Sequence, residues 1–304
     1  MPQTIFDLEI TDPHHHLWDL EAHYYPWLTD SFGPRVCGDY AAIRKNYLLE
    51  DLHNDIGDLQ VTRTVHIEAV IDPLLAVAET RWLQEIADTA PDRGIPHGIV
   101  AQADFANEDI ETLLDEHSQF ANFRGIRDVV HEGWIDPDNP QPTKLQNPAW
   151  QEAVGLCRKF DIHFELQMYY QQVEEAVELL KTNDDLPIIL THTGCPALRT
   201  QEHITGWQST MRRLAEFPNL HVKLSGFGMF DRKWTAASVK PFVMDCLEYF
   251  GVDRCMFASN YPVDGLACSY LDIWTKFFEL TADFSEDELG KLYSQNAKLF
   301  YRLN

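Results

Sequence analysis

The run Asp12-Pro13-His14-His15-His16 places three imidazoles directly after a carboxylate. On an extended chain residues two apart face the same side, so His14 and His16 point together while His15 points away. Two converging imidazoles suit a divalent metal or a proton-transfer pair. Another histidine, His192, follows the apolar run Ile188-Ile189-Leu190 and precedes Thr193-Gly194-Cys195-Pro196. A histidine at a strand end before such a turn is held rigidly, which makes His192 the candidate general base or electrophile.

Further along, Arg124-Gly125-Ile126-Arg127 sets two guanidiniums around a glycine. Their planar forks suit the carboxylate of an anionic substrate, and the glycine leaves room for a ligand or a backbone; a structural ion pair is the alternative for either arginine. His163, Glu165 and Gln167 alternate with Phe164 and Leu166, which turns the polar three toward one face. A carboxylate at that depth needs a partner or a metal. Tyr169 and Tyr170 can donate to a substrate oxygen or simply pack, and Lys223, in Lys223-Leu224-Ser225-Gly226, can meet a substrate anion. The last apolar run ends in Ser259-Asn260-Tyr261-Pro262-Val263-Asp264.

Groups so far apart in sequence need a frame that gathers them. Short runs rich in Val, Ile and Leu at 9–12, 63–69, 97–103, 123–129, 162–167, 187–191, 220–225 and 255–259 read as strands. Between them, 75–90 carries apolar residues at helical spacing, and 110–120, 148–160, 172–181, 205–217, 236–250 and 286–300 also read as helices. Eight strands alternating with helices predict a parallel sheet covered by helices, and 304 residues favour its closure. The expected fold is α/β, a (β/α)8 TIM barrel forming a single domain over 1–304. A doubly wound open sheet would need a glycine-rich turn after the first strand, where this chain has histidines. The segment at about 18–59, with Tyr24, Tyr25, Trp27 and Tyr40, reads as a structured aromatic insertion that can roof the site. In such a barrel catalytic groups sit at the C-terminal strand ends.

The motifs in their order carry a resemblance. Asp-Pro-His-His-His-Leu-Trp-Asp at 12–19, Tyr-Pro-Trp-Leu at 25–28, Arg-Gly-Ile-Arg at 124–127, Thr-His-Thr-Gly-Cys-Pro at 191–196, Lys-Leu-Ser-Gly at 223–226 and Ser-Asn-Tyr-Pro at 259–262 span nearly the whole chain. The chain resembles the amidohydrolase-2 branch of the amidohydrolase superfamily, and within it the lactonase-like group. The resemblance implies hydrolysis of a lactone, with water activated near His14, His16 and His192 and the substrate held by Arg124 and Arg127. The resemblance also exposes a departure, because the superfamily usually ends its eighth strand in an aspartate that takes the proton of the attacking water, and here that position is Asn260. A neutral amide is no base near neutral pH and a weak metal ligand. Either another group accepts the proton, with His192, Glu165 and Asp264 the candidates, or the protein has drifted to a different reaction. Catalysis without metal and catalysis through zinc or manganese on His14, His16 and Glu165 both stay open. A metal-dependent decarboxylase, an amide or imide hydrolase, and a lapsed barrel that binds a small acid are the alternative readings.

Composition narrows the partners. Against 24 Lys+Arg stand 48 Asp+Glu, a formal net charge of -24 that repels nucleic acids and anionic membrane surfaces. Residues 1–10 lack the basic start and apolar run of a signal peptide, and no apolar stretch approaches the roughly 20 residues of a spanning helix. A cytoplasmic enzyme acting on a small molecule is the expectation, with its oligomeric state open. The six cysteines show no CxxC pair and are expected to be reduced thiols.

Overall fold

The computed structural model describes residues 4–30, 37–89, 95–128, 130 and 143–303. Eight parallel strands form one sheet in sequence order: β1 Ile10–His15, β2 Val61–Ile67, β3 Gly98–Gln102, β4 Phe123–Arg127, β5 His163–Leu166, β6 Ile188–Leu190, β7 Leu220–Leu224 and β8 Cys255–Phe257. The first and last strands meet just past β8. His15 bridges Tyr261 in parallel, the Asn260 amide donates to the His14 carbonyl at 2.8 Å, and the His16 amide donates to the Tyr261 carbonyl at 2.8 Å. The sheet is thus the expected (β/α)8 barrel.

Alternation along the strands sorts side chains between two apolar regions. Phe164 and Leu166 face the surrounding helices, while Val65, Ile67, Val100, Ile189 and Met256 fill the barrel interior. The last helix, Asn296–Tyr301, closes the floor: Ala297 and Tyr301 pack into the interior cluster together with Leu303. Parallel register pairs Gly125 of β4 with His163 of β5, and a Cβ at 125 would lie 2.4 Å from the His163 ring. The space that the glycine leaves is therefore taken by a neighbouring imidazole, not by a ligand or a backbone as the sequence led us to expect.

Most expected helices are present, some with shifted ends. Ala76–Thr89, Ile110–Ser118, Val173–Thr182, Gln201–Leu214 and Ala236–Phe250 cover the sheet, and the expected helix at 148–160 tightens into a 3-10 turn after Pro148–Val154. The expected helix at 286–300 is broken by a π turn at Lys291–Gln295. Tyr270–Leu280, which the sequence reading did not single out, is a helix whose N-cap Ser269 and Asp272 form a capping box.

The insertion packs as an aromatic cluster at the C-terminal side of β1 and β2. Trp18 lies edge-on to Trp27 at 5.7 Å, Trp27 lies 5.7 Å from Tyr40, and Trp18 pairs with Tyr47 through an antiparallel bridge. The Trp27 indole donates to the Ala69 carbonyl at 2.7 Å and Tyr25 donates to Glu79 at 3.0 Å, tying the insertion to the chain that follows β2. Residues 31–36 of this insertion, and the expected strand end at 129, lie outside the described residues. The six cysteines are thiols outside any disulfide, and no helix among the described residues is long and apolar enough to cross a membrane.

Candidate active site

His14 and His16 leave β1 at the barrel mouth and meet His192 from the end of β6. The His14 ring centroid lies 5.1 Å from that of His16 and 4.6 Å from that of His192. His15 turns away, edge-on to His66 at 5.8 Å, as the alternation predicts. The turn that carries His192 is conformationally costly. His192, Thr193 and Cys195 all have left-handed φ near +50 to +57°, and Asn260 after β8 has φ +53°. Such strain persists only where surrounding contacts over-determine it, and it concentrates here at the mouth.

Those contacts come from the end of β7. Ser225 Oγ lies 3.1 Å from His192 Nδ1, and the Ser225 amide donates to Thr193 Oγ1 at 3.2 Å. Gly226, at φ +76°, is pressed so closely under the His192 ring that a Cβ there would approach it to 2.7 Å. The motif Lys-Leu-Ser-Gly thus supplies the bed on which His192 rests.

Asp12 works as a fastener. Its carboxylate accepts from Ser259 Oγ at 2.6 Å, from the Ser259 amide at 3.0 Å and from Tyr270 Oη at 2.9 Å, joining β1 to the chain after β8 and to the helix that sequence reading missed. Asn260 donates through Nδ2 to Asp264 Oδ1 at 2.9 Å, and the Gly228 amide donates to Asp264 Oδ2 at 3.1 Å. This network assigns the Asn260 amide with Nδ2 on Asp264, leaving Oδ1 as the acceptor for another group.

Beneath the histidines lies a buried charge pair. Lys223 Nζ stands 2.8 Å from both oxygens of Glu165, and Tyr301 of the floor helix donates to Glu165 Oε1 at 2.8 Å. Burial holds Lys223 below the usual lysine range despite its partner. For Glu165 burial is outweighed by the charge of Lys223 and the bonds from His163 and Lys223, so its carboxyl stays ionised. These contacts revise two expectations. Glu165, a candidate metal ligand, is engaged by Lys223 and Tyr301, and Lys223, a candidate partner for a substrate anion, faces Glu165 and lies 3.3 Å from His14 Nδ1.

The arginines also separate. Arg127, at the C-terminal end of β4, donates from Nε to Glu68 Oε1 and from a terminal nitrogen to the Glu68 carbonyl, both at 2.6 Å. Arg124 lies near the opposite end of the strand. It donates to the carbonyls of Ala121 and Phe123 at 2.7 and 2.9 Å, and its Cγ lies against Gly98, the first residue of β3. It is thus a floor residue, remote from the mouth where a substrate would be held. Gln167 is buried just past β5, and Tyr169 packs beside Cys195. Burial pushes the Cys195 thiol up to about 12, which leaves it an apolar packing group.

Burial first, then Lys223 for His14 and Arg127 for His16 and His192, hold these three imidazoles well below their usual range. They are neutral near pH 7, each with one N–H and one lone pair. Among the described residues no three of His, Cys, Asp and Glu converge to hold a metal ion. With Glu165 engaged and an amide at Asn260, the residues present do not fit a zinc or manganese site on His14, His16 and Glu165, one of the two routes that the sequence left open.

Burial pushes the Asp264 carboxyl from 3.8 up to about 7, against lowering bonds from Asn260 and Gly228. The folded protein then holds this proton at pH values where the unfolded chain has lost it. The resulting stabilisation is complete below about pH 4 and is lost as pH rises through 7, at about 1.4 kcal/mol per pH unit between these limits. Asp264→Asn is expected to remove that slope, read as urea-unfolding free energy against pH beside the wild type. Parallel curves for the two proteins would contradict the shift.

The sequence reading missed Glu68, Ser225 and Tyr301 as partners of the site. Glu68 carried a signal, a carboxylate near the C-terminal end of the expected strand at 63–69. Tyr301 carried none, since it meets Glu165 across 136 residues of chain.

A (β/α)8 barrel with a histidine pair at the end of its first strand and a third histidine at the end of its sixth is the frame of an amidohydrolase. Residues 11–303 match the Amidohydro_2 amidohydrolase family, and the chain belongs to it. It is thereby a hydrolase by family. It is 44% identical over 299 residues to the uncharacterized protein y4mH of Sinorhizobium fredii, covering 98% of this chain and 99% of that one. It is 25% identical over 308 residues to the L-fucono-1,5-lactonase of Burkholderia ambifaria, covering 96% and 95%. Among solved structures, an amidohydrolase from Burkholderia multivorans with bound zinc superposes with a TM-score of 0.79 at 21% identity, over 97% of this chain and all of that one.

Proposed function

We propose that this hydrolase opens the lactone ring of a small polyhydroxylated acid with water activated by its own side chains. The observation that carries the reading is the cluster of His14, His16 and His192, with ring centroids 5.1 and 4.6 Å apart, and the Asn260 backbone bonded to the His14 carbonyl. Lactone hydrolysis by the 25% identical relative supports the reaction class.

In the proposed reaction Asn260 Oδ1 orients a water and His192 removes its proton as the oxygen attacks the lactone carbonyl. His14 donates a hydrogen bond to the oxyanion that forms. The tetrahedral intermediate collapses with cleavage of the ring C–O bond, and the His192 imidazolium returns the proton to the departing ring oxygen. Glu165, tied to Lys223, is not the base, and Asp264, which accepts from Asn260 Nδ2 and the Gly228 amide, fixes the Asn260 side chain. Decarboxylation would need the metal site that the donor set does not fit.

The same contacts favour a neutral substrate over the anionic one expected from the arginines. Arg127 is neutralised by Glu68, Arg124 is on the floor, and Lys144 is paired with Asp128 at 2.7 Å and Asp104 at 3.1 Å. Next to the Glu68 and Lys144 pairs a cavity of about 420 Å³ is lined by Glu68, Gln102, Asp104, Asp128 and Lys144, with His14, His16 and His192 outside its lining. Carboxylates and amides of this kind accept hydrogen bonds from sugar hydroxyls. A pH-indicator assay comparing sugar-acid lactones with a pyrone dicarboxylate tests this: faster opening of the neutral lactones is expected. Preference for the dicarboxylate would reverse the substrate assignment.

A further inference from the structure

We propose that Lys223 is a positioning residue that locks His14 with its proton on Nε2, so that His14 presents a hydrogen-bond donor, and no metal-binding lone pair, at the mouth. This rests on the reading of the His14, His16 and His192 cluster as the reacting site, and not on the lactone as substrate.

An ammonium carries three protons and no lone pair. Lys223 Nζ lies 2.8 Å from Glu165 Oε1, 2.8 Å from Glu165 Oε2 and 3.3 Å from His14 Nδ1. Toward His14 it can only donate, so Nδ1 must be the accepting nitrogen. A neutral imidazole holds one N–H, which therefore sits on Nε2. Nε2 is buried without a hydrogen-bond partner. It is the donor left over for a substrate oxygen.

The lysine has little freedom to release this arrangement. Lys223, Glu165 and Tyr301 are all fully buried, and Tyr301 holds the far side of Glu165 from the floor helix. His16, two residues along the same strand exit, has the opposite tautomer. Its Nδ1 lies 2.7 Å from the carbonyl oxygen of Ile67, which can only accept, so Nδ1 carries the proton and Nε2 keeps the lone pair. One histidine of the pair thus donates at the mouth and the other accepts. A metal clamp would need a lone pair from each.

Removing the ammonium should invert His14. In Lys223→Met the donor at Nδ1 is gone and Glu165 has lost its ammonium, so Nδ1 is free to carry the proton and the Nε2 lone pair is released, the arrangement that supports metal-bound histidines. The test is two-bond 15N–1H NMR on the 15N-histidine-labelled protein, with His14→Gln to assign the signal. The wild type is expected to show His14 protonated on Nε2, and Lys223→Met to show it protonated on Nδ1 and to bind Co2+ about 10–100-fold more tightly. A wild-type His14 protonated on Nδ1 would overturn the proposal, as would equal Co2+ affinity in the two proteins. If Lys223→Met fails to fold, the wild-type spectrum alone decides. Failure to hydrolyse any lactone would count against the proposed reaction and leave this assignment intact.

Discussion

His192→Ala is expected to lower kcat for lactone opening by about 10²–10⁴-fold, the range for loss of a positioned general base. His192 is the neutral imidazole whose Nδ1 is fixed by Ser225 at 3.1 Å and whose ring is pressed onto Gly226. Of the other groups, Asn260 is an amide, Glu165 is bound to Lys223, and Asp264 is turned to Asn260 Nδ2 and the Gly228 amide, which leaves His192 as the base of the proposed reaction. The loss should fall on kcat with KM little changed, since the interaction exists only in the transition state. Steady-state kinetics on a variant with an unchanged circular dichroism spectrum gives the answer. Turnover near the wild-type rate would remove His192 from the chemistry.

Glu165→Leu is expected to destabilise the fold by about 3–5 kcal/mol, because it strands the Lys223 ammonium in the barrel interior. Tyr301 loses its acceptor in the same variant. Adding Lys223→Met should recover most of the loss, since replacing both members of a buried pair with apolar residues is often close to neutral. Urea unfolding of the two variants measures the difference. A loss under about 1 kcal/mol in Glu165→Leu would mean that water, not burial, surrounds this pair.

The frame of this site was legible in the sequence because strand alternation and helix periodicity are local properties. The run Ile188-Ile189-Leu190 before His192 was enough to set that histidine at a strand end, and two-residue spacing was enough to pair His14 with His16. Height along a strand and long-range partners were harder to read. Arg124 and Arg127 stand three residues apart, about 10 Å along an extended strand, which separates a floor residue from a mouth residue within one motif. Glu165 was correctly turned inward by its alternation with Phe164 and Leu166. Its lysine and tyrosine partners come from β7 and the last helix, and no local pattern announces them. The departure at Asn260 was visible, whereas its bond to Asp264 needed the turn geometry after β8.

Ring opening driven by the protein's own histidines can be measured with a pH-indicator assay on sugar-acid lactones with EDTA-treated protein, before and after zinc or manganese is added. Turnover is expected to survive EDTA and to be lost in His192→Ala. Activity that disappears with EDTA and returns only with metal, or no hydrolysis under any condition, would contradict it.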